Sequence, residues 1–202
     1  MNWKSQLRKP NIQQGILEVI FPLVGYFFWD WSLIIIITFY LIDFSASQIM
    51  FTRRLVKVKN QLNESLDWLV PVSISVSLIY TVLIVLSIYV AISQSQNPLL
   101  LSTMLKDIKF FALDELWYLF PVILLSSYMM DKVQFYTPKQ YLNYIPRTYL
   151  ISNIKLNGLA LLLVIIGSLF FSFFNPSILV SVICIVVVKL IFDSFKNYIV
   201  KL

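Results

Sequence analysis

Residues 31–52 read WSLIIIITFYLIDFSASQIMFT and are followed directly by Arg53 and Arg54. A helix rises ~1.5 Å per residue and the hydrocarbon core of a bilayer is ~30 Å thick, so roughly 20 apolar residues cross it. This run has that length, carries a single acid at Asp43, and stops at a basic cluster that continues to Lys57 and Lys59. It reads as a transmembrane helix that ends on the side where Lys and Arg collect.

Working outward, residues 15–29, 68–93, 113–130, 151–174 and 176–195 are apolar runs of the same character. Over 202 residues, 59% are hydrophobic and 13% charged, with a mean hydropathy of +0.81. A soluble domain carries roughly 45–50% apolar and ~25% charged residues, and a core this rich in apolar side chains would leave large patches facing water. The expected fold is all-α: an integral membrane bundle of about six transmembrane helices forming a single domain over residues 1–202. Trp29-Asp30-Trp31 and Asn175-Pro176 read as tight hairpin turns. There is no internal repeat or low-complexity tract, and no cleavable signal peptide is expected.

Basic residues set the orientation. Lys4, Arg8 and Lys9 precede the first run, and Arg53, Arg54, Lys57 and Lys59 follow the second. Lys132, Lys139 and Arg147 follow the fourth, with Lys155 just beyond, and Lys196 and Lys201 close the chain. In a six-span topology all of these share one side, so both termini are expected to be cytoplasmic. The opposite side has Asp30, the neutral Asn175-Pro176 turn, and Lys106 and Lys109 offset by Asp107, Asp114 and Glu115. Trp29, Trp31, Trp68, and Trp117 with Tyr118 are expected as interface anchors. The aromatic and basic stretch 132–147 is expected to lie along the cytoplasmic surface, and 99–111 along the outer one.

Histidine is absent, which excludes His-ligated haem, an HExxH zinc site and Ser–His or Cys–His nucleophile pairs. No metal or other cofactor is expected. The one cysteine, Cys184, forms no internal disulfide and is expected to be inert in an apolar neighbourhood. The net charge of +6 fits loops facing anionic lipid rather than nucleic acid. Glycine is scarce and there is no GxxxG, so close packing rests on Ser45, Ala46, Ser73, Ser75, Ser77 and Ser168. Pro22, Pro71 and Pro121 fall inside spans, where each frees a backbone carbonyl.

A charge within the bilayer costs at least ~2.5–3.5 kcal/mol at the centre, so it has a partner or a task. Asp43 lies about ten residues from either end of its run, with Tyr40 and Ser47 on the same face. Lys189 and Asp193 are four apart in the sixth run, with Lys189 also able to snorkel. Two readings stay open: a polar site of Asp43, Lys189, Asp193 and Tyr40 for an ion, proton or headgroup, or a neutral or paired Asp43 that fixes how two helices meet. Glu18 reads as nearer the cytoplasmic end of its helix, in a structural or snorkelling role. Asp114 and Glu115 read as a solvated helix start.

Pro22-Leu23-Val24-Gly25, then Phe28, Trp31 and Tyr40-Leu41-Ile42-Asp43, resembles the opening hairpin of a bacterial family of uncharacterised multi-pass membrane proteins, a domain-of-unknown-function family. Pro146-Arg147 and the later Lys189-x-x-x-Asp193 resemble the end of the same family. The resemblance implies a bacterial inner (plasma) membrane location and one shared site for Asp43, Lys189 and Asp193. It implies no activity. The family's histidine early in the penultimate helix has no counterpart; Asn153 and Asn157 stand near its place.

The expected function is that of a non-enzymatic structural or accessory component of a membrane complex. The alternatives are a small transporter or channel-like protein using a polar intramembrane site, and an intramembrane enzyme. The expected partners are the lipid bilayer and other membrane-protein subunits or further copies of the chain, with no nucleic acid.

Overall fold

Proline at the first position of a helix loses no hydrogen bond and presets the backbone angle, and the chain uses it twice. Helix α1 runs Pro10–Phe28 and helix α5 runs Pro146–Phe174, each starting five residues before the apolar run read from the sequence. The structure, a computed structural model, describes residues 10–61, 66–94, 106, 109, 116–174 and 176–199, with side chains over 18–61, 66–89, 106, 109, 118–174 and 176–192. Asp114, Glu115, Asn175, most of 99–111, Lys4, Arg8, Lys9 and Lys201 lie outside the described residues, as do the side chains of Trp117, Asp193 and Lys196.

Among the described residues the chain is all-helical, with six α-helices and no strand. Between α1 and α5 come α2 (Leu33–Lys59), α3 (Leu69–Gln94) and α4 (Leu116–Asp131). A wide π turn (Lys132–Tyr136) and a 3-10 turn (Gln140–Asn143) precede α5, and α6 (Ile178–Ile199) follows it. Helix α2, α3 over Leu69–Tyr89, and α5 are long and apolar enough to cross a membrane, and the apolar stretches Glu18–Phe28 and Ile178–Phe192 are shorter. This is compatible with a membrane protein. So is the outer surface, where Leu78, Ile79, Val82 and Leu86 of α3 and Leu162 and Ile166 of α5 stand exposed.

Two further features differ from the sequence reading. Helix α2 continues past Thr52 to Lys59, so Arg53, Arg54, Lys57 and Lys59 belong to its last turns and not to a loop. Arg, Lys and Leu are strong helix formers, and positive charge suits a helix C-terminus. Pro71 falls in the first turn of α3, where no intrahelical hydrogen bond is lost, so only Pro22 and Pro121 sit in helix interiors.

Helix α2 is the central element and touches each of the other five α-helices, while α3 lies along α5, and α6 contacts α1 and α5. Small residues permit this. Ala46 is fully buried, and Ser73 and Ser77 are buried on α3, whereas Ser75 faces outward.

The turn between α1 and α2 is tight because one glycine carries it. The Gly25 carbonyl accepts the N–H groups of Trp29 (3.1 Å) and Trp31 (3.0 Å), and Asp30 takes a left-handed conformation at φ 49°. The Trp31 ring lies on Gly25 so closely that a Cβ there would be 2.4 Å from it. Trp31 is therefore a core residue, 7% exposed and edge-on to Phe21 at 5.4 Å, rather than the expected interface anchor. Trp29, Trp68 and Tyr118 are exposed, as anchors require.

Residues 132–147 do more than lie along a surface. Phe135 is buried and stacks on Tyr144 (6.0 Å) and Tyr149 (6.2 Å), against a core that includes Phe51, Leu55 and Leu69. The segment closes the end of the bundle that carries the basic residues. Burial raises the Tyr136 hydroxyl above its ordinary pKa, with the Asp131 carboxylate adding to the effect, so it stays neutral.

Candidate functional site

Three polar layers lie along the inner stripe of α2. The first joins three helices. Lys189 of α6 donates from Nζ to Asp43 Oδ2 of α2 at 3.0 Å and stands 3.1 Å from Glu18 Oε2 of α1. Glu18, Asp43 and Lys189 are each roughly one-sixth exposed, so the cluster is neither sealed in the core nor open at the surface. Tyr40 joins α2 to α1 by donating its hydroxyl to the Glu18 carbonyl oxygen at 3.2 Å. Ser47 does not serve Asp43 as its spacing allowed. Its hydroxyl donates to the Phe44 carbonyl at 2.7 Å.

The structure thus brings Asp43, Lys189 and Tyr40 to one place. Asp193 stands one turn beyond Lys189 on α6, with its side chain outside the described residues. Glu18 is the correction. It lies about two turns into α1 and is a full member of the ion cluster, rather than sitting near a helix end. A signal for it existed in the spacing, for Glu18 lies 12 residues before Asp30, Asp43 13 after it, and Lys189 13 after Pro176. In antiparallel helices, residues equally far from a common end meet at one height, here ~18–20 Å from the turns.

The second layer is an amide network. Gln48 Nε2 donates to Asn157 Oδ1 at 2.8 Å, and Gln48 Oε1 accepts from Ser77 Oγ (3.0 Å), Asn157 Nδ2 (3.1 Å) and Asn153 Nδ2 (3.3 Å). All four residues are buried, and together they tie α2 to α3 and α5. Sequence reasoning named Asn153 and Asn157 but missed Gln48. The third layer is an ion pair between Arg54 and Asp131, with Arg54 Nε donating to Asp131 Oδ1 at 2.8 Å and the guanidinium 5.3 Å from the Phe135 ring centre. Asp131 is 2% exposed at the end of α4.

A cavity of about 1090 Å³ connects the layers, touching Glu18, Asp43, Lys189, Gln48, Arg54 and Asp131. Its remaining wall is mostly aliphatic and aromatic, supplied chiefly by α2, α5 and α6, with Ile84 and Ile88 of α3 and the segment around Phe135 and Tyr144. Cys184 lines it too and is partly exposed, within its mostly apolar wall. Chemically, the site offers carboxylates and an ammonium at mid-helix, amide donors and acceptors further along, and a guanidinium–carboxylate pair at the end. Among the described residues, no three His, Cys, Asp or Glu side chains gather as a metal site.

No family model, curated protein or solved structure matches the chain. The site's chemistry therefore rests on its geometry.

Proposed function

We propose that the chain is a non-enzymatic, multi-pass membrane protein of six spans with both termini cytoplasmic, acting as a small transporter or channel-like protein through a largely apolar cavity that carries a polar intramembrane site. The observation that carries this reading is a cavity of about 1090 Å³ that reaches a cluster of carboxylates and an ammonium halfway along the bundle. The space is a partly open cleft rather than a sealed void, and its volume lies at the upper end of ligand pockets, which run to ~300–1,000 Å³. A purely structural bundle has no need of such a space, nor of ionic groups placed to face it. The accessory-component reading is second, supported by the buried amide network around Gln48, which ties three helices together.

The single native cysteine supplies the test. Cys184 lines the cavity, whereas Leu78 of α3 is 62% exposed on the outer face, where lipid would cover it. In membranes, a water-soluble methanethiosulfonate should modify Cys184, because the reagent needs a hydrated thiolate. It should leave Leu78→Cys, in a Cys184→Ser background, unmodified. If Cys184 and Ser47→Cys both resist the reagent while Lys139→Cys reacts, the cavity holds no water and the transport reading is lost.

A further inference from the structure

The cavity is a partly open cleft, and part of its rim is apolar. Ile166 and Phe170 of α5 and Ile178, Ile183 and Val187 of α6 line it, and each is between 38% and 58% exposed. Leu169 of α5 and Leu179 and Val180 of α6 are exposed beside them without lining it, so the wall of the cleft runs on into the outer apolar surface. In a membrane that surface faces hydrocarbon, and the cleft meets lipid tails along its flank.

Inside, polar groups recur from one end of the bundle to the other. Along α2, Arg54, Gln48 and Asp43 line the cleft six and five residues apart, which sets their levels ~9 and ~8 Å apart. Lys189 stands level with Asp43 through their contact. Ser181 lies eight residues before Lys189 on α6, and Ser177 a further four, next to the α5–α6 turn, so the next steps are ~12 and ~6 Å. Arg54 pairs with Asp131, and Lys189 with Asp43 and Glu18, so each ionic level presents both signs of charge. A zwitterionic group can exchange contacts with such a pair without leaving either sign alone, whereas in bare hydrocarbon its charges would go unsolvated.

Resting on the cavity reading above, we infer that the cleft is a path for the headgroup of a zwitterionic phospholipid, which passes between the leaflets along the polar levels while its acyl chains stay in the bilayer beyond the open flank. The combination sets the substrate class. A water-soluble solute has no use for an apolar flank, and a wholly apolar ligand has none for a ladder of polar groups. Exchange between leaflets breaks no bond and needs no co-reactant.

The test uses the full-length protein in phosphatidylcholine vesicles carrying a trace of phosphatidylethanolamine with a nitrobenzoxadiazole label on one acyl chain. Dithionite, which does not cross the bilayer, is added outside. Protein-free vesicles should lose only the outer-leaflet fluorescence, and vesicles with protein should lose the inner-leaflet fluorescence too. A labelled glucose trapped inside should stay fluorescent. Labelled phosphatidylglycerol, which has the phosphate without the ammonium, should exchange more slowly. Gln48→Leu should slow exchange about tenfold by removing one polar level. Gly167→Phe should slow it as well by filling the cleft. A Cβ at Gly167 meets no atom within 4 Å, so this variant should melt no lower than the parent and keeps the test valid if Gln48→Leu does not fold. Lys139→Gln, at the surface, should exchange lipid at the parental rate. Inner-leaflet label that survives, or exchange undiminished in both cleft variants, would overturn the inference. Equal rates for phosphatidylglycerol would overturn the zwitterion assignment, and quenching of the trapped glucose would replace the lipid path with a solute channel. Cys184 labelling separates the two failures. Reactive Cys184 without lipid exchange leaves the cavity standing and removes the lipid; unreactive Cys184 without exchange removes both.

Discussion

Lys189 stands almost equally far from Asp43 and Glu18, and this symmetry decides how each residue responds to substitution. Removing the lysine leaves two acids facing one another in a low-dielectric layer. Replacing Asp43 by Asn removes one charge, keeps a hydrogen-bonding group, and leaves a one-to-one pair of Lys189 with Glu18. Lys189→Met should therefore cost ~1–3 kcal/mol of stability in detergent, and Asp43→Asn less than ~0.6 kcal/mol, a typical polar coupling in a membrane protein. A double-mutant cycle on thermal unfolding measures the coupling directly, and a value of zero would mean that the contact is incidental. Of these three residues, Asp43 and Lys189 stood out in the sequence because each interrupts an apolar run. Glu18 was misplaced for a definable reason. Beginning its helix at residue 15 puts it within a turn of the end, whereas the true start at Pro10 puts it two turns deep. Gln48 was not readable at all. An uncharged amide in a span is unexceptional until one knows which face of α2 meets α5, and that is set by tertiary packing.

At the level of the helix, the α1–α2 hairpin depends on a residue with no side chain. Gly25 accepts two backbone hydrogen bonds from the turn and leaves room for the Trp31 ring. Gly25→Ala places a methyl group 2.4 Å from that ring, so either the ring or the turn must move. Both movements disturb the register that sets Glu18 level with Asp43. The expected result is a loss of ~1–3 kcal/mol, the usual range for overpacking. It should also bring a rise in tryptophan exposure, seen as a red shift of emission. An unshifted spectrum with parental stability would show that the ring contact does not hold the hairpin. The short loop and its tryptophans were readable from the sequence, but the fate of each ring was not, since Trp29 and Trp31 differ only in which way the turn points them.

For the molecule as a whole, the proposed topology places the basic residues on one side and the short turns on the other. In a Cys184→Ser background, cysteines at Asp30, Asn97 and Asn175 should react with an impermeant maleimide added outside intact cells. Those at Lys57 and Lys139 should react only after permeabilisation. Outside labelling of Lys57→Cys would invert the assignment. Extension of α2 to Lys59 does not weaken this expectation, because Lys57 is exposed on the last turn and its position is unchanged by being helical.

Asp43 and Lys189 are 146 positions apart in the chain, and this separation bears on how the protein is made. A ribosome adding ~5–20 residues per second needs roughly 7–30 seconds to travel from one to the other. For most of that interval the first two helices carry both acids without the lysine that stands between them in the finished fold. A chain broken off before α6 would carry a permanent polar scar in its centre, which gives membrane quality control a simple chemical mark by which to tell an unfinished copy from a finished one.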